Sequence, residues 1–289
     1  MLIDIVNGLA IGCVLFILAA GLSLVFGMMD VLNLAHGAVY LVGAYTAYAL
    51  TDGGISWGTF LASIGVALVL GMVIGAGLAG MVAPLAKRSH LDQALLTLGV
   101  GLVLSEGIVA VFDSDVHAVA APPGLDGSVS ISGSPYPAYR LALIGFGILL
   151  AAGLYLLVER TRTGALIRAT VTDRGMVEAL GVDSRKVLFG VFAGGCALAA
   201  LAGVLGSQIY GARPGLDEGV LLLALVVVVI GGLGSIKGAL LGALLIGQVE
   251  TLGRAQLQEF APFLLFGVMA LVLVLRPRGI AGLQKATAG

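Results

Sequence analysis

The chain has 289 residues, 59% of them hydrophobic and 11% charged, with a formal net charge of −1. That balance, with a mean hydropathy of +1.11, excludes a water-soluble globular domain, and the near-neutral charge carries no nucleic-acid signature. Cys13 and Cys196 both fall in apolar segments and read as small packing residues.

A helix crosses the hydrocarbon core with roughly 20 apolar residues, within a range of about 17–25. Candidate segments lie near 5–26, 35–51, 59–83, 94–112, 140–158, 187–210, 218–232, 238–252 and 259–275. The segments 218–232 and 238–252 are short for full spans and read as tilted halves, or as one element interrupted by a loop at depth. The expectation is one all-α polytopic membrane domain over 1–289, with about 8–10 helices and some interrupted segments. The opening MLIDIVNG has no basic residue and the first Lys is Lys87, so no cleavable signal peptide is expected and the first helix should stay in place.

The first interruption is Gly27-Met-Met-Asp-Val-Leu-Asn-Leu-Ala-His-Gly37, which sets Asp30, Asn33 and His36 between two apolar segments. Irregular backbone at membrane depth is tolerated only where protein or a water-lined cavity satisfies it. Two roles fit these three side chains: capping helix ends in a tight turn, or lining a translocation path. Further along, Gly231-Gly-Leu-Gly-Ser-Ile-Lys-Gly238 has the same glycine-bounded look. Glu106 and Glu250 are the carboxylates expected within spans; both lie toward the outer ends of their segments, without an evident intramembrane basic partner, which favours interfacial placement.

The chain holds 45 glycines, and their spacing predicts helix seams. Gly195, Ala199, Gly203 and Ser207 recur every four residues, as do Gly71 with Gly75, and Gly234, Gly238 and Gly242. In lipid, helices associate through close backbone approach, so stripes of small residues mark contacts between helices, within the chain or between subunits.

Basic residues orient the chain, since Lys and Arg in short loops stay cytoplasmic. Lys87 and Arg88, the cluster in 159–186, Lys237, and Arg276, Arg278 and Lys285 all share one side, which accounts for twelve of the fifteen basic residues. Arg140, Arg213 and Arg254 fall on the other. Nine crossings follow, with the N-terminus outside and the C-terminus inside. The loop 113–139, with three Asp and no basic residue, then faces out as an ordered turn region or a short surface helix.

The loop 159–186 concentrates charge: six basic residues (Arg160, Arg162, Arg168, Arg174, Arg185, Lys186) and four acidic ones. Asp173 is placed to cap a short helix from Arg174 to Leu180, which Gly181 would end. Leu166, Met176, Val177 and Leu180 can form a small apolar face ringed by charge. Such a helix on the membrane surface suits insertion into a groove on a soluble partner. Enzyme chemistry has no candidates: His36, His90 and His117 are scattered, and no G-x-x-x-x-G-K-[ST] occurs.

Four patterns together give a specific resemblance. The opening NGLAIG…GLSLVFGMMDVLNLAHGAVYLVGAY contains Asn33-Leu34-Ala35-His36-Gly37; the loop RTRTGALIRATVTDRGMVEALGV follows, then GGLGSIKGALLGALLIG, and finally Arg276-Pro277-Arg278-Gly279-Ile280. Over essentially its full length the chain resembles the H-type permease of branched-chain amino-acid ABC importers. The resemblance implies a type II importer-like transmembrane domain in the bacterial inner membrane, paired with a related M-type permease. It also implies two cytoplasmic ABC ATPase subunits, which would bind ATP and Mg²⁺, and a soluble periplasmic binding protein. The chain itself is then not an enzyme and needs no cofactor. ATPase coupling is expected from Arg162, Gly164, Arg168, Ala169, Asp173, Val177, Leu180 and Gly181. The pathway is expected to involve Leu15, Phe16, Asn33, His36 and Gly37, although Leu15-Phe16 replaces the family's common Tyr-Ala and Val177 replaces its Ala. The rival is a secondary carrier that works an ion gradient through Glu106 or Glu250.

Overall fold

The computed structural model describes residues 1–29, 32–131, 133–277 and 279–281. Its helices are α1 (Leu2–Met29), α2 (His36–Thr51), α3 (Trp57–Val82), α4 (His90–Phe112), α5 (Ala138–Arg160), α6 (Arg162–Thr172), α7 (Arg174–Ala179), α8 (Ser184–Tyr210), α9 (Leu216–Gly231), α10 (Ile236–Gln256) and α11 (Ala261–Leu275). Nine of these match the nine apolar segments of the sequence. Asp30, Arg278 and Lys285 lie outside the described residues.

Six helices, α1, α3, α4, α5, α8 and α10, are long and apolar enough to cross a membrane. The expectation that 238–252 is a half-span is corrected, because α10 has 21 residues. Ser235 starts it early by accepting from the Gly238 N–H at 3.0 Å, and amphipathic residues out to Gln256 prolong it beyond the apolar run. By contrast α2 and α9 have 16 residues each. At 1.5 Å per residue they span about 24 Å, less than the roughly 30 Å hydrocarbon core.

Short polar residues start most of the helices, because side-chain oxygens satisfy backbone N–H groups that have no partner in the first turn. Ser56 forms a capping box with Thr59 ahead of α3, Ser89 caps α4, and Asp183 caps α8. The start of α1 lies at one end of the bundle, where Asn7 meets Arg140, and residues 279–281 lie at the other, where the Ile280 N–H donates to the Ile230 carbonyl at 2.8 Å. The first end carries a two-stranded antiparallel hairpin, Ser128–Ile131 with Ser134–Pro137, paired Val129 to Tyr136; the opposite end carries α6 and α7. So 113–139 is an ordered turn region, and its regular element is a hairpin, not a surface helix. Tyr136 is buried, and the Trp57 indole N–H donates to the Pro123 carbonyl at 3.0 Å, pinning the loop to α3.

The core is built around α1, whose residues from Cys13 to Leu22 are all buried. Helices α10 and α8 pack along it, α2 and α3 pack on α8, and α9 closes on α10. The small-residue seams make these approaches. Gly195 meets Gly21 of α1, Gly203 meets Tyr40 and Ala44 of α2, and Gly71 and Gly75 of α3 lie on Cys196 and Phe192. Gly238 and Gly242 abut α9, and Gly234 touches Gly27. All three predicted stripes are therefore used inside the chain, with close backbone contact replacing the hydrophobic expulsion that lipid does not provide. Helix α4 is the opposite case: most of its residues are exposed, and Gln93, Thr97 and Gly101 are its buried points.

Candidate functional site

Two polar constellations stand at different heights of the bundle. At the far end, α6 and α7 form an elbow between α5 and α8. Thr161 caps α6 by accepting from the Gly164 N–H at 3.1 Å. A Cβ on Gly164 would come within 2.1 Å of the Val158 carbonyl oxygen, so only glycine lets α6 fold back this tightly on α5. The Arg168 guanidinium donates to that same Val158 carbonyl and lies 3.6 Å from the Glu159 carboxylate. It thereby satisfies a carbonyl that the end of α5 leaves without a helical partner.

Asp173 serves both short helices. Its backbone N–H closes α6 on the Ala169 carbonyl at 2.9 Å, and its carboxylate caps α7 through the Met176 N–H at 2.9 Å. Gly181, at φ +82°, ends the unit in a left-handed conformation that a side chain would strain. Ile167, Thr170 and Val177 turn inward and are buried, whereas Leu166 (39% exposed), Met176 (60%) and Leu180 (73%) point out beside Arg162 and Ala169. The predicted apolar face of four is thus corrected to three. Val177 belongs to the inner side because a helix as short as α7 needs at least one residue to anchor it.

The second constellation lies at mid-height, where α2 and α9 begin. The His36 ring Nε2 is 3.0 Å from the Leu18 carbonyl of α1, and the Asn33 amide donates to the Cys196 sulfur at 3.6 Å. Cys196 sits near the midpoint of α8, so this break in the helix is far from either end. Thr97 of α4 accepts from the Leu34 N–H and donates to the Leu32 carbonyl, both at 3.1 Å. The first turn of α9 lies against the first turn of α2: a Cβ on Gly37 would meet the Asp217 carbonyl oxygen at 2.4 Å. Ser105 of α4 donates to the Asp217 carboxylate at 2.5 Å.

Asn33, His36 and Gly37 are brought together here and are buried. Leu15 and Phe16 lie one turn of α1 away, at 1% and 0% exposure. None of the five opens onto the surface of this chain. Phe16 lines an apolar cavity of ≈ 330 Å³ between α1, α5 and α10, where Lys237 lies 5.0 Å from the centre of the Tyr155 ring.

Of the two membrane carboxylates, Glu106 lies exposed on α4. Glu250 is almost fully buried and ion-paired with Arg254, which lies one helical turn along α10, in its last turn, and is largely exposed. That partner was readable in the sequence, since residues four apart share a helix face. Sequence reasoning also missed Thr161, Ile167 and Thr170 as elbow anchors, and Thr97 as the clamp on the mid-height break. Thr161 carried a signal, being a small polar residue directly before a helical pattern.

Residues 4–274 match the family described as branched-chain amino acid transport system permease component. The chain is 31% identical to the high-affinity branched-chain amino acid transport system permease protein BraD of Pseudomonas aeruginosa, covering 96% of this chain and 95% of that one. It is 29% identical to the corresponding permease protein LivH of Escherichia coli, over 96% and 94% of the two chains. It is also 28% identical to the permease protein LivM of E. coli, covering 93% of this chain and 68% of that protein. Among solved structures, a chain of PsaBC from Streptococcus pneumoniae in complex with Fab overlaps loosely, at a TM-score of 0.46 and 12% identity over 93% of this chain and 89% of that one.

Proposed function

The chain belongs to the branched-chain amino acid transport system permease family, and from that premise we propose that it is the H-type membrane subunit of an ATP-driven importer for branched-chain amino acids or similar small solutes. Its partner in the membrane is a related M-type permease, a reading supported by the likeness to LivM as well as to LivH and BraD. Two cytoplasmic ATPase subunits bind ATP and Mg²⁺, and a soluble periplasmic receptor delivers the solute. Among the described residues, Arg140, Arg213 and Arg254 lie near the hairpin end of the bundle and the elbow lies at the other. With positive charge held inside, the elbow faces the cytoplasm of a bacterial inner membrane and the N-terminus lies outside.

The observation that carries this reading is the way the elbow is bonded to the end of α5. Glycine contact at Gly164, the Arg168 clamp and the shared cap at Asp173 tie α7, α6 and α5 into one body, with Leu166, Met176 and Leu180 presented outward. A partner that grips the exposed side chains moves α5 with them. ATP shifts the access equilibrium only by its differential effect on the two states, and such a body carries that difference into the bundle without dissipating it. The mid-height break plays a different part. Leu15, Phe16, Asn33, His36 and Gly37 shape the short helices α2 and α9 from within, and the solute passes outside this chain's core, against the second permease. Replacing Asp173 by Ala and Gly181 by Val together should lower uptake and uncouple ATP hydrolysis, with the membrane domain still folded. Normal uptake by that double variant would reject the lever.

The carrier reading loses its main support, since Glu250 is ion-paired and the full-length relatives are described as permease proteins of a transport system.

A further inference from the structure

A cavity of ≈ 280 Å³ lies between the ends of α1, α5, α8 and α10 on the hairpin side of the bundle. Its volume falls just under the ~300–1,000 Å³ typical of drug-sized ligands, which suits a molecule as small as an amino acid. The wall carries both signs of charge. Arg140 enters it from α5, and its guanidinium is held by a neutral group, the Asn7 amide oxygen at 2.6 Å. It spends one N–H there and keeps donors for a carboxylate, which a guanidinium grips in a two-point fork. Glu250 of α10 also lines the cavity; it is nearly buried and gives one oxygen to Arg254, leaving the second to accept from an ammonium group. Beside it the Thr251 hydroxyl is buried and, among the described residues, has no hydrogen-bond partner. A buried hydroxyl left unpaired costs free energy, and Thr251 is among the residues that line the cavity. Ile11 adds an apolar patch.

We propose that this cavity is a receiving site for a zwitterionic aliphatic amino acid. The carboxylate lies on Arg140, the ammonium on Glu250, the Thr251 hydroxyl completes the polar set, and the aliphatic chain rests on Ile11. The inference rests on the permease reading, and it names a contact that this chain makes with the solute before passage. Neither a simple anion nor a simple amine uses both halves of the site.

The test uses the complete importer, both permeases with their ATPases, in lipid nanodiscs without the soluble receptor, and radiolabelled L-leucine as probe. Saturable binding is expected, displaced by unlabelled L-leucine but not by equal concentrations of 4-methylpentanoate or 3-methylbutylamine, which each lack one charged group. Arg140→Gln and Glu250→Gln should each weaken binding by about tenfold or more, the range for a hydrogen bond to a charged group. Thr251→Val is the control for folding: it should weaken leucine binding by a few-fold while the melting temperature stays level or rises, because it removes an unpaired buried hydroxyl. The inference is overturned if the wild-type complex binds no leucine while its ATPase still responds to receptor, if all three variants bind as wild type, or if either half-analogue displaces leucine equally. A complex with neither receptor-stimulated ATPase nor uptake would instead remove the permease reading, and this site with it.

Discussion

The elbow and the mid-height break both gather polar residues in a chain where such residues are scarce, yet they treat them in opposite ways. At the break, the Asn33 and His36 side chains turn onto α8 and α1, and Thr97 of α4 holds the Leu34 N–H and the Leu32 carbonyl. At the elbow, polar groups fold the two short helices, while apolar side chains are left facing outward. The first arrangement faces inward and is closed to the surface, although the Asn33 Oδ1 and the His36 Nδ1 are buried without a hydrogen-bond partner among the described residues. The second is finished mechanically and unfinished at its surface. A region's polarity therefore says less about function than where its hydrogen bonds end.

The largest effect should come from breaking the closed region. Gly37→Val places carbon where the Asp217 carbonyl stands, 2.4 Å from an ideal Cβ. Overpacking of this kind costs typically 1–3 kcal/mol, and more where only backbone can yield. Loss of folded protein from the membrane fraction, or a sharply lower melting temperature in detergent, is the expected outcome. A variant that folds and transports normally would mean that α2 and α9 are not rigidly apposed. Next in size is Gly164→Ala, which forces α6 away from the end of α5. An ideal Cβ there meets the Val158 carbonyl oxygen at 2.1 Å, so we expect a stability loss of about 1–3 kcal/mol, with uptake lowered several-fold in proteoliposomes. Undiminished uptake by the folded variant would mean that the close packing of α6 on α5 is not part of the lever. The smallest effect on stability belongs to Leu180→Ser, within about ±0.5 kcal/mol as for exposed positions generally. Its consequence should appear in co-purification with the ATPase subunits, and undiminished recovery of them would remove Leu180 from the contact.

Much of this was readable from residues alone, for local reasons. The nine helices follow from apolar runs that have no other stable form in lipid. Asp173 as a cap and Gly181 as a stop follow from side-chain and backbone chemistry within a few residues. The stripes through Gly195, Gly71 and Gly238 follow from the four-residue repeat of a helix face. What escaped was decided at longer range. Val177 was grouped with Met176 and Leu180 because all three are apolar; which of them turns inward depends on where α7 sits against α8.

Sequence by itself determined the number of apolar helices, their caps, the grouping of basic residues and the faces along which helices approach. Tertiary structure alone decided which polar residues are enclosed, that Arg140 and Glu250 share one cavity although 110 positions apart in the chain, and that Gly37 must yield to Asp217. The reason is that hydrophobicity separates inside from outside only where water is the outside. In a bilayer the lipid-facing and core-facing sides of a helix are equally apolar, so the direction a residue faces is set by its neighbours' shapes and not by its own composition.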